Sequence, residues 1–215
     1  KKKLIIINRV EKKIAIIAEN IDSELLQDVD KIILNVLYKL MEMDNILFIE
    51  AAGIAIDKNT TILIGERNFI KDILDNLLRE EYKFVCAESI GIIKNMNSID
   101  IFCLPEKTKL RETYKSKIIL NTKLVKILFL TYNKSINNNV FSKVNKRDFV
   151  EMLKLKHNNH YKKYIKYMNK VFDTRDNNYI NYNDLYNSID VIRYAYNNYD
   201  ISLICSDLKK LITAE

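Results

Sequence analysis

An α/β (α+β) fold, a mixed sheet flanked by helices, is predicted by three features of the 215-residue sequence. Apolar runs of strand length recur along it, among them Thr61–Ile64, Tyr82–Cys86 and Leu124–Leu130. Between them stand segments whose apolar residues fall at helical spacing, such as Phe69, Ile70, Ile73, Leu74, Leu77 and Leu78. No internal repeat and no Pro-, Gly- or Ser-rich linker interrupts the series, so one domain over residues 1–215 is expected.

The elements follow in chain order. Leu4–Ile7 and Lys13–Ala18 are short apolar runs around a polar turn, which predicts a small antiparallel strand pair over residues 4–18. Asp22-Ser23 offers an N-cap. Leu25, Leu26, Val29, Ile32, Ile33, Val36, Leu37, Leu40 and Met41 then mark an amphipathic helix. Strands are predicted at Asn45–Ile49, Gly53–Ile56 and Thr61–Ile64, with a turn at Asp57–Thr60. A helix over Asn68–Glu81 leads to strands at Tyr82–Cys86, Ile90–Ile93 and Ile101–Leu104, the last ended by Pro105. Glu106–Lys117 is charged and reads as an exposed segment. Ile118–Leu120 and Leu124–Thr131 read as strands, and Asn133–Asn139 as a loop. Asn145 is placed to cap a helix carrying Phe149, Met152, Leu153 and Leu155. A separate helix is expected over Tyr161–Phe172, then a loop over Asp173–Asn183, a strand at Ile189–Tyr196 and a closing helix at Ile201–Ile212.

Composition narrows the class of protein. With 48% hydrophobic and 29% charged residues, the chain is not a disordered one. No apolar stretch reaches the roughly 18 residues that a spanning helix needs. The run Leu4–Ile7 is too short for a signal peptide and Asn8-Arg9 interrupt it, so a cytoplasmic protein with no membrane partner is expected. Cys86, Cys103 and Cys205 have neither disulfide nor zinc spacing and are expected as small buried hydrophobes. His157 and His160 lie three apart without a carboxylate or thiol pattern nearby, so two surface histidines are expected rather than a metal site. The net charge of +7 admits nucleic acid or acidic peptides as partners. The wealth of Lys, Asn, Ile and Tyr throughout is equally the bias of an AT-rich bacterial genome. Tyr161, Tyr164 and Ile165 fit an inward stripe with Lys162, Lys163 and Lys166 as its wet side, which weakens a nucleic-acid reading.

The chain has three glycines, Gly53, Gly65 and Gly91, all within one 46-residue stretch from Phe48 to Ile93 that also holds the strand–glycine–helix passage Ile64–Asp72. Gly65 ends a strand just before a helix, where a tight turn is expected. Counted from Gly65, Lys71 stands where the lysine of a GxxxxGK[ST] phosphate-binding loop stands. The second glycine of that pattern is Ile70, and its hydroxyl position is Asp72. A β-branched residue suits no left-handed backbone conformation. An aspartate beside a triphosphate adds a like-charge pair that costs about 4 kcal/mol at ~4 Å and an effective dielectric near 20.

Taken in order, these pieces resemble the kinase domain of the HPr kinase family and its relatives in peptide-modification gene clusters, whose fold is shared with phosphoenolpyruvate carboxykinases. The matching pieces are Ile49–Ile56 for the family's "HAAAV" strand, Thr61–Gly65 with its helix for the phosphate loop, Tyr82–Glu88 for the strand ending in an acidic pair, and Leu104-Pro105 to Leu110-Arg111 for the proline-led basic segment. Leu124–Leu130, the helix after Asn145, Asp190–Tyr194 and Ile201–Ile212 also match in order, so the likeness spans most of the chain. Three departures fall at the chemistry: Glu50 replaces the histidine, Ala87-Glu88 replaces the acidic pair, and the phosphate loop is degenerate.

The resemblance therefore implies a degenerate, non-catalytic protein that binds a peptide or a peptide-modifying enzyme in a modification or regulatory pathway. It implies no cofactor. The alternative is an active ATP-dependent serine kinase acting on a peptide or small protein. In that case Gly65 and Lys71 contact ATP, Asp72 and Glu88 hold Mg2+, Glu88 serves as base and Arg111 approaches the transferred group. A basic nucleic-acid-binding module is a further alternative. A homo-oligomer is compatible with each of these. The degenerate reading expects Phe69 and Ile70 to pack where the family binds its nucleotide.

Overall fold

Strand β9 (Thr122–Tyr132) is the centre of the architecture seen in a computed structural model. It describes residues 3–8, 13–18, 29, 33, 36, 46–96, 98–103, 109–120, 122–164 and 181–213. The chain divides into two compact units, one of residues 1–45 and 161–179, the other of residues 46–160 and 180–215.

In the first unit, β1 (Lys3–Asn8) and β2 (Lys13–Ala18) pair antiparallel from Lys3↔Ala18 to Asn8↔Lys13. This is the strand pair that the two apolar runs predict. Val29, Ile33 and Val36 are helical, as their spacing predicts. The rest of that predicted helix, the segment after Tyr164 with its Met168 and Phe172 stripe, and Pro105 lie outside the described residues.

The second unit holds a nine-stranded mixed sheet, with strands β3 (Leu47–Glu50), β4 (Ala52–Ile56), β5 (Asn59–Ile64), β6 (Lys83–Cys86), β7 (Ser89–Lys94), β8 (Ile99–Cys103), β9, β10 (Val140–Lys143) and β11 (Asp190–Tyr196). The spatial order is β3-β7-β8-β9-β5-β4-β6. Lys123 of β9 is opposite both Asn59 of β5 and Asp100 of β8, so those two strands take opposite edges of β9. Further along, β11 pairs parallel with β9 from Lys126 to Tyr132, and β10 pairs antiparallel with β11.

Period-two alternation in the central strands sends side chains to two separate cores. Ile62, Ile64, Ile127 and Phe129 face one, with Phe149 and Leu153. Leu63, Leu128 and Leu130 face the other. Helices α3 (Lys146–Tyr164) and α4 (Tyr182–Ser188) cover the first face. Helices α1 (Arg67–Leu78) and α5 (Ile201–Thr213) cover the second. This is why β5 and β9 read as continuous apolar runs: both of their faces are buried. The predicted mixed sheet flanked by helices is the fold observed. Among the described residues no helix is long and apolar enough to cross a membrane.

Several local expectations are corrected. Ile118–Leu120 forms only one isolated bridge, Ile118 to Phe84, after the short helix α2 (Lys109–Thr113) and a turn of 3-10 helix at Lys115–Lys117. Strand β10 falls where no element is predicted, and so does most of α4, of which only Tyr182 and Asn183 lie in the predicted loop. Helix α3 runs unbroken through His157-Asn-Asn-His160 rather than ending near Leu155. His157 is 6% exposed and its Nδ1 lies 2.8 Å from the Phe48 carbonyl oxygen, so it is no surface histidine. Asn145 caps α3 as predicted, its Oδ1 accepting from Asp148 N–H at 2.9 Å. Cys86 and Cys205 are buried; Cys103 is only half-buried.

Candidate functional site

The stretch around Gly65 lies at the end of β5, beside the segment that follows β6 and the corner between β3 and β4. Ala51 N–H donates to the Glu88 carbonyl at 3.3 Å, and the Cys86 thiol donates to the Ala51 carbonyl at 3.6 Å. These bonds hold the β3–β4 corner against Ala87-Glu88. Residues Glu50, Gly65, Arg67, Ile70, Glu88 and Lys156 line a cavity of about 140 Å3 there.

The local backbone departs from the expected loop. Helix α1 begins at Arg67, only two residues after β5 ends. Ile70 N–H bonds to the Glu66 carbonyl at 3.0 Å and closes the first helical turn. Positions 67–70, which the spacing from Gly65 assigns to a phosphate-binding loop, are therefore helix. Glu66 is the N-cap: its extended backbone lets the carboxylate accept from Asn68 N–H at 3.2 Å. A helix N-terminus presents unsatisfied N–H groups and a partial positive charge. Here the chain supplies its own anion to that position.

Phe69 and Ile70 explain the early start. Both point into the core between α1, β9 and α5, at 3% and 5% exposure. Phe69 stacks on Tyr196 at 4.6 Å and meets Tyr199 edge-on at 5.3 Å. Burying these two side chains contributes several kcal/mol at about 25 cal/mol per Å2. An open loop would forfeit most of it.

Gly65 does not adopt the left-handed conformation that its place at a turn suggests; no described glycine has a positive φ. Its reason is proximity. An added Cβ would meet the Leu130 Cβ and the Leu130 carbonyl oxygen, each at 3.1 Å. Gly65→Ala is thus expected to cost about 1 kcal/mol in urea denaturation, the overlap outweighing the entropy gained by removing a glycine. A stabilised variant would show that β9 does not crowd this turn.

Of the residues singled out in the sequence, Lys71 and Glu88 come together, with Nζ 3.5 Å from Oε1. Arg67 also bonds the Glu88 carboxylate, so two cations converge on one acid. Glu88 is one-fifth exposed and Lys71 one-third, which leaves these pairs partly screened and individually worth on the order of 1 kcal/mol. Asp72 is exposed, and its carbonyl accepts from Asn76 Nδ2 at 2.9 Å. Arg111 is half-buried within α2. Ala87 is buried at 5%.

Lys156 is the residue that sequence reasoning missed. It reaches from α3 and its Nζ donates to the Gly65 carbonyl at 3.4 Å. Its partner lies 91 positions away and no spacing rule links them. Among the described residues no group of three or more His, Cys, Asp or Glu side chains is arranged to hold a metal ion.

No family model and no curated protein sequence matches the chain. Among solved structures, the chain is similar to the HPr(Ser) kinase/phosphatase from Coxiella burnetii, with a TM-score of 0.46 and 11% sequence identity over 76% of this chain and 94% of that one.

Proposed function

We propose that this is a degenerate HPr-kinase-like protein that transfers no phosphate. It binds a peptide or a peptide-modifying enzyme in a cytoplasmic modification or regulatory pathway. The observation that carries the reading is the start of α1 at Arg67 with Glu66 as its cap. A phosphate cradle needs successive N–H groups turned inward and a free, positive helix end. Here the amides of the first turn lie in helix and the Glu66 carboxylate takes the anion's position.

Three further features support it. Arg67 and Lys71 are already committed to Glu88, and Lys156 to the Gly65 carbonyl. The cavity of about 140 Å3 is smaller than the roughly 300–1,000 Å3 of pockets for drug-sized ligands. Asp72, which a Mg2+ ion would need beside Glu88, is exposed. The residues present do not fit a magnesium nucleotide. The same geometry disfavours a working serine kinase built on Lys71, Asp72, Glu88 and Arg111.

Isothermal titration with Mg-ATP tests the reading. The expected result is no saturable binding up to millimolar nucleotide. Micromolar binding that Lys71→Ala abolishes would overturn the non-catalytic reading in its strict form and favour the serine kinase. A short precursor peptide and a modifying enzyme encoded beside this gene are expected as its natural partners.

A further inference from the structure

The sheet has an open edge at β10, which bonds to β11 on one side and to no strand among the described residues on the other. Register fixes which groups face outward. Val144 N–H donates to the Val191 carbonyl at 3.1 Å, on the continuation of the β10–β11 pairing. Alternate residues of an antiparallel ladder bond the same neighbour. Val140 and Ser142 therefore bond β11, while the N–H and C=O groups of Phe141 and Lys143 point to the open edge. That is a row of donors and acceptors at the spacing of an incoming strand.

The edge is not blunted by burial. All four residues of β10 are exposed, with Val140 at 47% and Phe141 at 42%. The Phe141 ring is held by stacking on Tyr194 at 5.0 Å, so it does not fold across its own backbone. Beside the strand runs a cavity of about 270 Å3 walled by Phe141, Lys143, Ile192 and Leu211. A larger one of about 570 Å3 continues past Lys143 towards Tyr186 and Leu124. These give alternate side chains of an added strand somewhere to go.

Charge selects the occupant. From Thr131 to Arg147 the chain carries Lys134, Lys143, Lys146 and Arg147 and no carboxylate. Arg147 pairs with Glu151 within α3, whereas the three lysines have no acidic partner among the described residues. Among the described residues, Asp190 is the one carboxylate that lines the two cavities. A second copy paired through β10 would bring two such lysine clusters and two chains of net charge +7 together, which like-charge repulsion opposes.

We propose that β10 is the docking edge for an extended acidic peptide, which adds to the sheet as a further strand. Its backbone bonds Phe141 and Lys143, and its carboxylates face Lys134, Lys143 and Lys146. This rests on the peptide-binding reading above and places that binding at the sheet edge, away from Glu88.

The test uses the full chain and a short fluorescein-labelled peptide of alternating valine and glutamate. It is compared with the same peptide N-methylated at every amide, which has no backbone N–H on either edge to donate to a ladder. Anisotropy is expected to show saturable binding that weakens about tenfold or more with N-methylation, with Lys143→Glu, or on raising the salt. The amides of Phe141 and Lys143 are expected to gain protection from hydrogen exchange when the peptide is present. The N-methyl comparison needs no variant, so a misfolded one does not decide the result. Equal binding of both peptides without protection at Phe141 and Lys143 would overturn the edge and leave the peptide-binding reading standing. Concentration-dependent self-association that protects those two amides without peptide would make the occupant a second copy and overturn the proposal. Absence of binding at millimolar peptide would overturn it too, independently of the Mg-ATP titration.

Discussion

Phe69→Ala is expected to lower the free energy of unfolding by about 3–5 kcal/mol, read from the midpoint of guanidinium denaturation. Phe69 is 3% exposed and is the hub at which Tyr196 and Tyr199 meet α1. Truncation removes the transfer energy of a ring and leaves a void between helix and sheet that rigid neighbours fill only in part. Domains of ordinary size have about 5–15 kcal/mol in all, so the variant stands near its threshold. Phe69→Leu, which keeps most of the volume, is expected to cost about 1.5 kcal/mol or less. A loss below about 1 kcal/mol for the alanine variant would mean that the first turn of α1 is not docked. The Gly65–Ile70 segment would then be free to act as a loop.

Alkaline lability is the second large effect. Burial pushes the Tyr194 hydroxyl well above the usual phenol range, helped by its hydrogen bond to Asp207 at 3.0 Å. Burial does the same to Tyr196, with Tyr199 adding to it. Burial also raises the Cys205 thiol to about 11 from an ordinary 9.0. In each case the folded protein holds the proton more tightly than the unfolded chain. The stabilisation is therefore complete below the unfolded values, near 9 for the thiol and 10 for the phenols, and is lost as pH rises through the folded ones. Cys205 alone contributes about 3 kcal/mol to that loss at most. Thermal midpoints measured from neutral to pH about 11 are expected to start falling near pH 9 and to fall faster above 10. Tyr194→Phe is expected to flatten the steep part only partly, because it removes one of the two buried phenols and leaves Tyr196. A midpoint unchanged up to pH 11 would mean that these side chains meet solvent.

How far the sequence could be read depended on burial. Strands β5 and β9 and helices α1 and α5 were legible to within a few residues, because both sheet faces and one side of each helix are apolar. Strand β10 was not legible: all four residues are exposed, so no buried face imprints an alternation on Val-Phe-Ser-Lys. Helix α4 has one buried residue, Leu185, among polar neighbours. The polar run His157-Asn-Asn-His160 looked like a break in α3, yet His157 is buried against the Phe48 carbonyl, a tertiary contact that overrides weak local propensity. At the site, the meeting of Lys71 and Glu88 follows from the order of strand and helix. The start of α1 at Arg67 did not, because counting from Gly65 presumes a loop, whereas the packing of Phe69 and Ile70 decides the matter.

Strand β9 has a consequence for the order of assembly. Its parallel partners come from distant parts of the chain, β5 at Asn59–Ile64 and β11 at Asp190–Tyr196. Loop-closure entropy is lost before either ladder returns any energy, so a rate-limiting step in the millisecond-to-second range is expected for the second unit. During synthesis the edge of Leu128-Phe129-Leu130 that β11 covers stays unpaired until the last part of the unit has left the ribosome. A chain stopped before Asp190 carries that bare apolar edge permanently, and β9 is then the segment through which it aggregates.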